Sequence, residues 1–294
     1  MAVAEAEVQP MPARSERMSL GTRLARLPLH LFLLFIALLW ILPAMGLFVT
    51  SLIPAAAANA EGWWHVFSKP SELTLENYRT MFDNSAITHA LWVTALVTIG
   101  ATILPILVGS LAAYALAWVD FPGRDLAFVA VVGLLVVPLQ MALIPIFSLY
   151  NDINLYDTIW GLILFHTAFA LPFAIFLLRN FFAGIPKDLM EAARIDGASE
   201  WRLFFKVVLP LGLPAIAALA IFQVLFVWND FLVGFTLAQD NVPITAALAG
   251  ELRQFSSNLS VIAPASFFSA VIPLTIFALF QRYFVQGLLA GAVK

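Results

Sequence analysis

The 294-residue chain has no cysteine, which excludes disulfides and thiolate metal sites. Its only histidines are His30, His65, His89 and His166, and no two of them stand at a metal-ligand spacing. No G-x-x-x-x-G-K-[ST] stretch occurs, so the chain cannot itself cradle the phosphates of ATP. Charge is scarce as well. Charged residues make up 11% of the sequence, whereas a soluble domain carries about 25%. The segments 27–60, 85–119, 126–151 and 158–178 have none.

What fills those segments is apolar, 62% of the whole chain. A helix needs about 20 apolar residues to cross a bilayer, and the runs do not alternate with period two as a barrel would require. The expected fold is an all-α integral membrane protein with six transmembrane helices, at about 28–52, 86–118, 126–149, 158–180, 208–238 and 262–285. Arg14, Arg17, Arg23 and Arg26 precede the first run, and Ala58-Asn59-Ala60 follows it, which resembles a signal peptide. The run is about twice as long as the 7–15 residues of such a peptide, so an uncleaved helix is expected. The expected organisation is a disordered tail over 1–27, a six-helix membrane domain over 28–285 and a short tail over 286–294.

The 15 basic residues orient the spans. With the N-terminus in the cytoplasm, the inner segments hold Arg14, Arg17, Arg23, Arg26, Arg124, Arg179, Lys187, Arg194, Arg202, Lys206, Arg282 and Lys294. Only Lys69, Arg79 and Arg253 fall outside. Both termini and the segment 184–210 are therefore expected inside. The outer loops are 53–85, with the Trp63-Trp64 pair suited to the membrane interface, and 239–261.

The segment 184–210 is the charged exception in an apolar chain. Pro186 suits a first helical turn, and Asp188 and Glu191 suit the positive end of a helix dipole. Gly197 fits a left-handed stop, and Ser199 can cap a second helix that leads into the fifth span. The first helix is expected to expose Ala192 and Ala193, small enough for a partner to approach the backbone, with Glu191, Arg194 and Asp196 beside them. An ordinary basic loop satisfies the same local pattern.

EAARIDGASEWRLFFKVVLP, residues 191–210, resembles the EAA loop of permeases of ATP-binding-cassette (ABC) importers, with Glu191, Ala192, Ala193, Asp196, Gly197, Leu209 and Pro210 in the family's places. The stretches 76–82 (ENYRTMF), 171–189, 226–232 (FVWNDFL) and 281–294 are similar to carbohydrate-uptake permeases, most of all the second permease of maltose-type systems. The resemblance covers nearly everything after residue 28. It implies a non-catalytic subunit in the bacterial plasma membrane, working with a second homologous permease, two ATPase subunits and an extracytoplasmic sugar-binding protein. ATP and Mg would sit on the ATPase subunits, with no cofactor or metal on this chain and no nucleic acid involved. Glu191, Ala192, Ala193, Arg194, Asp196 and Gly197 would form the coupling helix that docks on the ATPase. The tail QGLLAGAVK resembles one that reaches the ATPase interface, and is equally consistent with a frayed end.

Polar residues within spans are costly and face protein or water. Asp230 and Gln223 fall seven residues apart, on one face of a continuous helix, with Trp228 and Asn229 beside them. They suit a sugar-facing wall, or a polar cluster that ties helices together. Gln140, between Pro138 and Pro145, is a further pathway candidate, and His166 suits a packing role. An ion-coupled secondary sugar carrier would call for repeated halves, which are not seen. A membrane-embedded enzyme would call for a Ser–His pair or an acid/base cluster, also not seen.

Overall fold

A computed structural model describes residues 27–253 and 258–290. Residues 1–26 of the expected N-terminal tail and 291–294 of the expected C-terminal tail lie outside them, whereas Leu27 opens the first helix and 286–290 continue the last one. The described residues form helices without strands. The chain divides into two units, through Gly46 and from Leu47. The first unit holds most of α1 (Leu27–Ser51), whose apolar residues occupy its whole circumference, as suits a helix surrounded by lipid.

The second unit is organised along α4 (Ser85–Trp118), which at 34 residues is about 51 Å long. That exceeds the ~30 Å hydrocarbon core, so its ends project beyond it. Asn84 starts it by accepting the backbone N–H groups of Ala86 and Ile87 on its side-chain oxygen. Three apolar clusters succeed one another along α4. The first joins Ile87 and Ala90 to Met81 of α3 (Glu76–Asp83), Ile244 of α13 (Ile244–Arg253) and Val261 and Ala265 of α14 (Leu259–Ala290). The middle one joins Val93, Val97 and Ala101 to Leu162 and Phe165 of α7 (Ile159–Ala183). The last joins Ala113 and Tyr114 to Ala174, Leu178 and Phe182 of α7 and to the 184–210 segment.

Small residues let α4 and α7 approach closely. Gly109 faces Ala174, where its Cβ would stand 3.0 Å from the Ala174 Cβ, and Ala113 packs in the same cluster as Ala174. Small residues at such a contact are what close packing in lipid requires, because there apolar burial alone gives little drive to association.

Four described helices are long and apolar enough to cross a membrane, and there are six crossings if each of two bent pairs counts as one. The third expected span is bent by 95° between α5 (Arg124–Leu134) and α6 (Leu139–Asp152). Pro138 lacks an N–H to continue the ladder, and the backbone N–H groups of Leu135, Val136 and Val137 turn back to Val132, Gly133 and Leu134. The fifth expected span, read as continuous over 208–238, is also divided. It runs through α9 (Glu200–Leu203), a wide turn over 204–208 and α10 (Leu209–Leu211). It then bends by 71° at Gly212 into α11 (Leu213–Trp228), and a short α12 (Leu232–Leu237) follows. A Cβ at Gly212 would stand 2.5 Å from the Phe182 ring, so this bend needs glycine.

The connections are structured. Asp157, at φ +54°, accepts on Oδ1 the N–H groups of Gln239 (2.8 Å), Asp240 (3.0 Å) and Asn241 (2.9 Å). Its own N–H donates to the Leu237 carbonyl, and the Asn241 amide donates back to the Asp157 carbonyl. This clasp joins the α6–α7 connection to the segment after α12.

The 52–84 connection holds α2 (Ala55–Glu61) and two 3-10 turns, Trp63–Phe67 and Pro70–Glu72. Buried His65 fixes them, with Nδ1 2.5 Å from Glu61 and Nε2 2.8 Å from Glu72. The hydrogen bonds to Glu72 and then Glu61 hold the imidazole above its ordinary value of 6.5. The bond to His65 holds Glu72 below 4.5. The imidazolium therefore stabilises this connection below pH 6.5, and its contribution is lost as pH rises through the raised folded value. The Glu72 contribution is present above 4.5 and lost as pH falls through the lowered folded value. Hydrogen exchange over 55–72 should show greatest protection between those two limits. His65→Gln should flatten the alkaline side; equal alkaline loss in the variant would assign that loss to another group.

Candidate functional site

The 184–210 segment folds from its own local signals. Helix α8 (Lys187–Ile195) begins one residue later than Pro186, which is its N-cap rather than its first turn. Asp188 stands in the first turn and Arg194 in the last, both favoured by the helix dipole. The helix ends in a glycine-terminated double hydrogen bond, from Ala198 N–H to the Ala193 carbonyl and from Gly197 N–H to the Arg194 carbonyl, each 3.0 Å. Gly197 has φ +79°, and nothing lies within 4 Å of where its Cβ would be. Its backbone angle, not space, is what demands glycine. Ser199 caps α9 by accepting the Arg202 N–H.

Met190 is fully buried and pins α8 to the last cluster, beside Phe182, Leu203 and Phe204. The opposite face is open. Glu191, Ala192, Asp196 and Gly197 are exposed there, whereas Arg194, also exposed, lies one turn from Met190 and bonds back to Trp118 and Glu200. Ala193 is half-buried and packs inward, so the two adjacent alanines divide between the two faces. Ile195 is 86% exposed and belongs to the outer face, at helical spacing from Glu191 and Ala192. That spacing was the available signal for it. A concavity of about 310 Å³ beside the helix is lined by Lys187, Glu191 and Arg194 together with Trp118, Asp120 and Arg124. A small apolar-and-charged helix face next to a polar recess is suited to receive another protein.

The interior polar residues are not brought to one wall. Gln223 is buried and lines a cavity of about 220 Å³ with Phe169, Phe173, Phe222 and Phe226. Its Nε2 has no hydrogen-bond partner among the described residues. Trp228 is buried, and its indole N–H donates to the Ser269 carbonyl (2.9 Å), joining α11 to α14. Asn229 is exposed and bonds back to the Leu225 carbonyl (2.7 Å), ending α11. Gln140 is exposed in the first turn of α6. Because α11 stops at Trp228, the seven-residue spacing of Gln223 and Asp230 does not lie on one continuous helix. Asp230 Oδ2 instead accepts the N–H groups of Val233 (2.9 Å) and Gly234 (3.4 Å) at the start of α12. The Asp230 carbonyl accepts the Thr245 hydroxyl, and His166 Nε2 stands 3.9 Å from Oδ2.

These contacts give Asp230 a structural load. Asp230→Ala is expected to lose about 1–3 kcal/mol by stranding the α12 N–H donors. Asp230→Asn, which keeps an acceptor oxygen, should lose less. Thermal unfolding of the detergent-solubilised chain measures both; an Asp230→Ala variant as stable as the parent would remove the capping role.

A multi-helix membrane subunit presenting a capped, exposed helix–glycine–helix element is the class these features define. The chain belongs to the family of binding-protein-dependent transport system inner membrane components, whose model matches residues 20–289. It is similar to the osmoprotective compounds uptake permease protein GgtD of Synechocystis sp., 44% identical over 275 residues, 92% of each chain. It is also similar to the alpha-glucoside transport system permease protein AglG of Rhizobium meliloti, 44% identical over 233 residues, 76% of this chain and 61% of that one. The fold matches a crystal structure of a bacterial ABC transporter involved in import of the polysaccharide alginate. The TM-score is 0.78 at 21% identity, covering 91% of this chain and 99% of that one. The chain is thus an inner-membrane permease subunit of an ABC importer, and the ion-coupled carrier gains no support.

Proposed function

We propose that this permease serves an ATP-driven importer of sugars and that α8 is its coupling helix. The observation that carries the coupling role is the open face of α8, held outward by the Met190 anchor and the Gly197 stop. The alpha-glucoside relative supports a disaccharide or oligosaccharide substrate. The chain pairs with a second, homologous permease to enclose the pathway. Two ATPase subunits bind ATP and Mg and receive Glu191, Ala192 and Asp196 in a surface groove. An extracytoplasmic sugar-binding protein delivers the substrate. The distribution of basic residues supports cytoplasmic termini and a cytoplasmic α8. This chain contributes binding and movement, and the ATPase subunits contribute the chemistry.

Of the pathway candidates, Gln223 has the strongest support. A buried amide with an unused donor, among four phenylalanine rings, suits a sugar that offers a hydroxyl on its edge and an apolar face. Gln140 and Asn229 are exposed, whereas Trp228 and Asp230 are engaged in tying helices together.

Purification in mild detergent with identification of co-purifying proteins tests the assembly. A second permease and an ATPase are expected; a chain that emerges alone and transports on an ion gradient would end this reading. Gly197→Pro should abolish sugar uptake by the reconstituted complex while ATP is still hydrolysed. Proline cannot reach φ +79° and lacks the N–H that bonds to Arg194, a local cost of about 3 kcal/mol or more. Undiminished uptake per ATP would count against docking through α8. Gln223→Leu should raise the KM for uptake about two- to tenfold, the loss of one hydrogen bond. An unchanged KM would remove Gln223 from the pathway.

A further inference from the structure

Helix α8 is attached through two short connections. Gly184 and Pro186 precede it, and Gly197 in the left-handed region follows it. With Met190 as its one buried side chain, α8 would pivot on that anchor when pressed from outside. The structure contains a brace against that pivot. The Glu200 carboxylate uses both oxygens: Oε1 is 3.3 Å from the Arg194 guanidinium on α8, and Oε2 accepts the hydroxyl of Tyr114 on α4. Tyr114 is buried, and its ring meets Phe204 edge-on at 5.3 Å. The same Arg194 nitrogen donates to the carbonyl of Trp118, the last residue of α4 (3.2 Å). The Trp118 indole in turn donates to the Phe182 carbonyl near the end of α7 (3.0 Å).

We propose that Glu200 is a positioning residue for energy coupling. It braces α8 against α4, so that a displacement of α8 reaches the ends of α4 and α7 together. This rests on the reading of α8 as the docking helix. Stability alone does not account for the Arg194–Glu200 pair. The side chains of Arg194 and Glu200 are 40% and 51% exposed, and exposed ion pairs add little to folding. Direction does account for it. Charge-assisted hydrogen bonds are short and geometrically demanding, and this carboxylate aims one bond at each of two elements. Glu200 does not belong to the open face that would meet the ATPase, so its effect passes through Arg194 and Tyr114.

The test uses the complete importer in proteoliposomes with its binding protein and sugar, and reads sugar transported per ATP hydrolysed. Glu200→Ala and Tyr114→Phe are each expected to lower that ratio on the order of two- to tenfold, with the ATPase subunits still co-purifying. The double variant should be no worse than Glu200→Ala alone, because both act on one brace. Glu200→Gln, which keeps the acceptor for Tyr114 but not the charge for Arg194, should fall between parent and Glu200→Ala. If Glu200→Ala fails to assemble, Tyr114→Phe decides alone, since it removes only a hydroxyl. Lower thermal stability with an unchanged ratio in Tyr114→Phe would show a merely structural contact and overturn the brace. An unchanged ratio alongside an uncoupled Gly197→Pro overturns the brace and leaves docking standing. An unchanged ratio in all of these variants overturns both.

Discussion

Inside hydrocarbon a backbone N–H or C=O without a partner has no water to turn to, and that constraint shapes this molecule throughout. It makes the described chain helical. It also dictates what must surround every place where a helix stops. At Pro138 the preceding N–H groups fold back into a tight turn. At Gly212 the N–H still reaches the Val208 carbonyl while the axis swings by 71°. After Trp228 the gap is bridged by side chains, with Asn229 closing α11 and Asp230 opening α12. Polar residues that look extravagant in an apolar sequence are, at these points, replacements for lost backbone bonds.

The apolar runs made the helices legible, because composition alone decides whether a segment is at home in lipid. The interruptions were much less so. Leu-Gly-Leu-Pro at 211–214 lies within an apolar stretch, and hydropathy does not change when a helix bends. The pairing of Gln223 with Asp230 failed for that reason: a helical wheel presumes a continuous helix, and α11 ends two residues before Asp230. The 184–210 segment was more readable because caps are local. Ser199 and Gly197 act on atoms within a few residues of themselves. Tyr114 and Glu200 are 86 residues apart, and nothing near either one announces the other. The inward turn of Ala193 likewise depends on the cluster beneath it, which sequence spacing does not reveal.

Packing and polar bonding divide the labour along α4. Near its start and middle, α4 is held by apolar clusters, and Gly109 brings α7 to contact distance. At the far end the same two helices are also cross-linked by Trp118 to Phe182, and α8 is joined to them there. A stiff pair of helices with polar ties at one end transmits a push better than a purely greasy seam, because hydrogen bonds resist sliding as well as separation.

The Asp157 clasp bears on how the protein comes into being. One carboxylate oxygen gathers three successive N–H groups from residues 82 to 84 positions later in the chain. During synthesis Asp157 emerges first, and the three donors it serves follow only after α7 through α12 are made. Only when residues 239–241 arrive can that segment take its shape, because its donors converge on an atom that local sequence does not supply. The clasp closes late, and its closing marks the moment at which the later helices have reached their place beside the earlier ones.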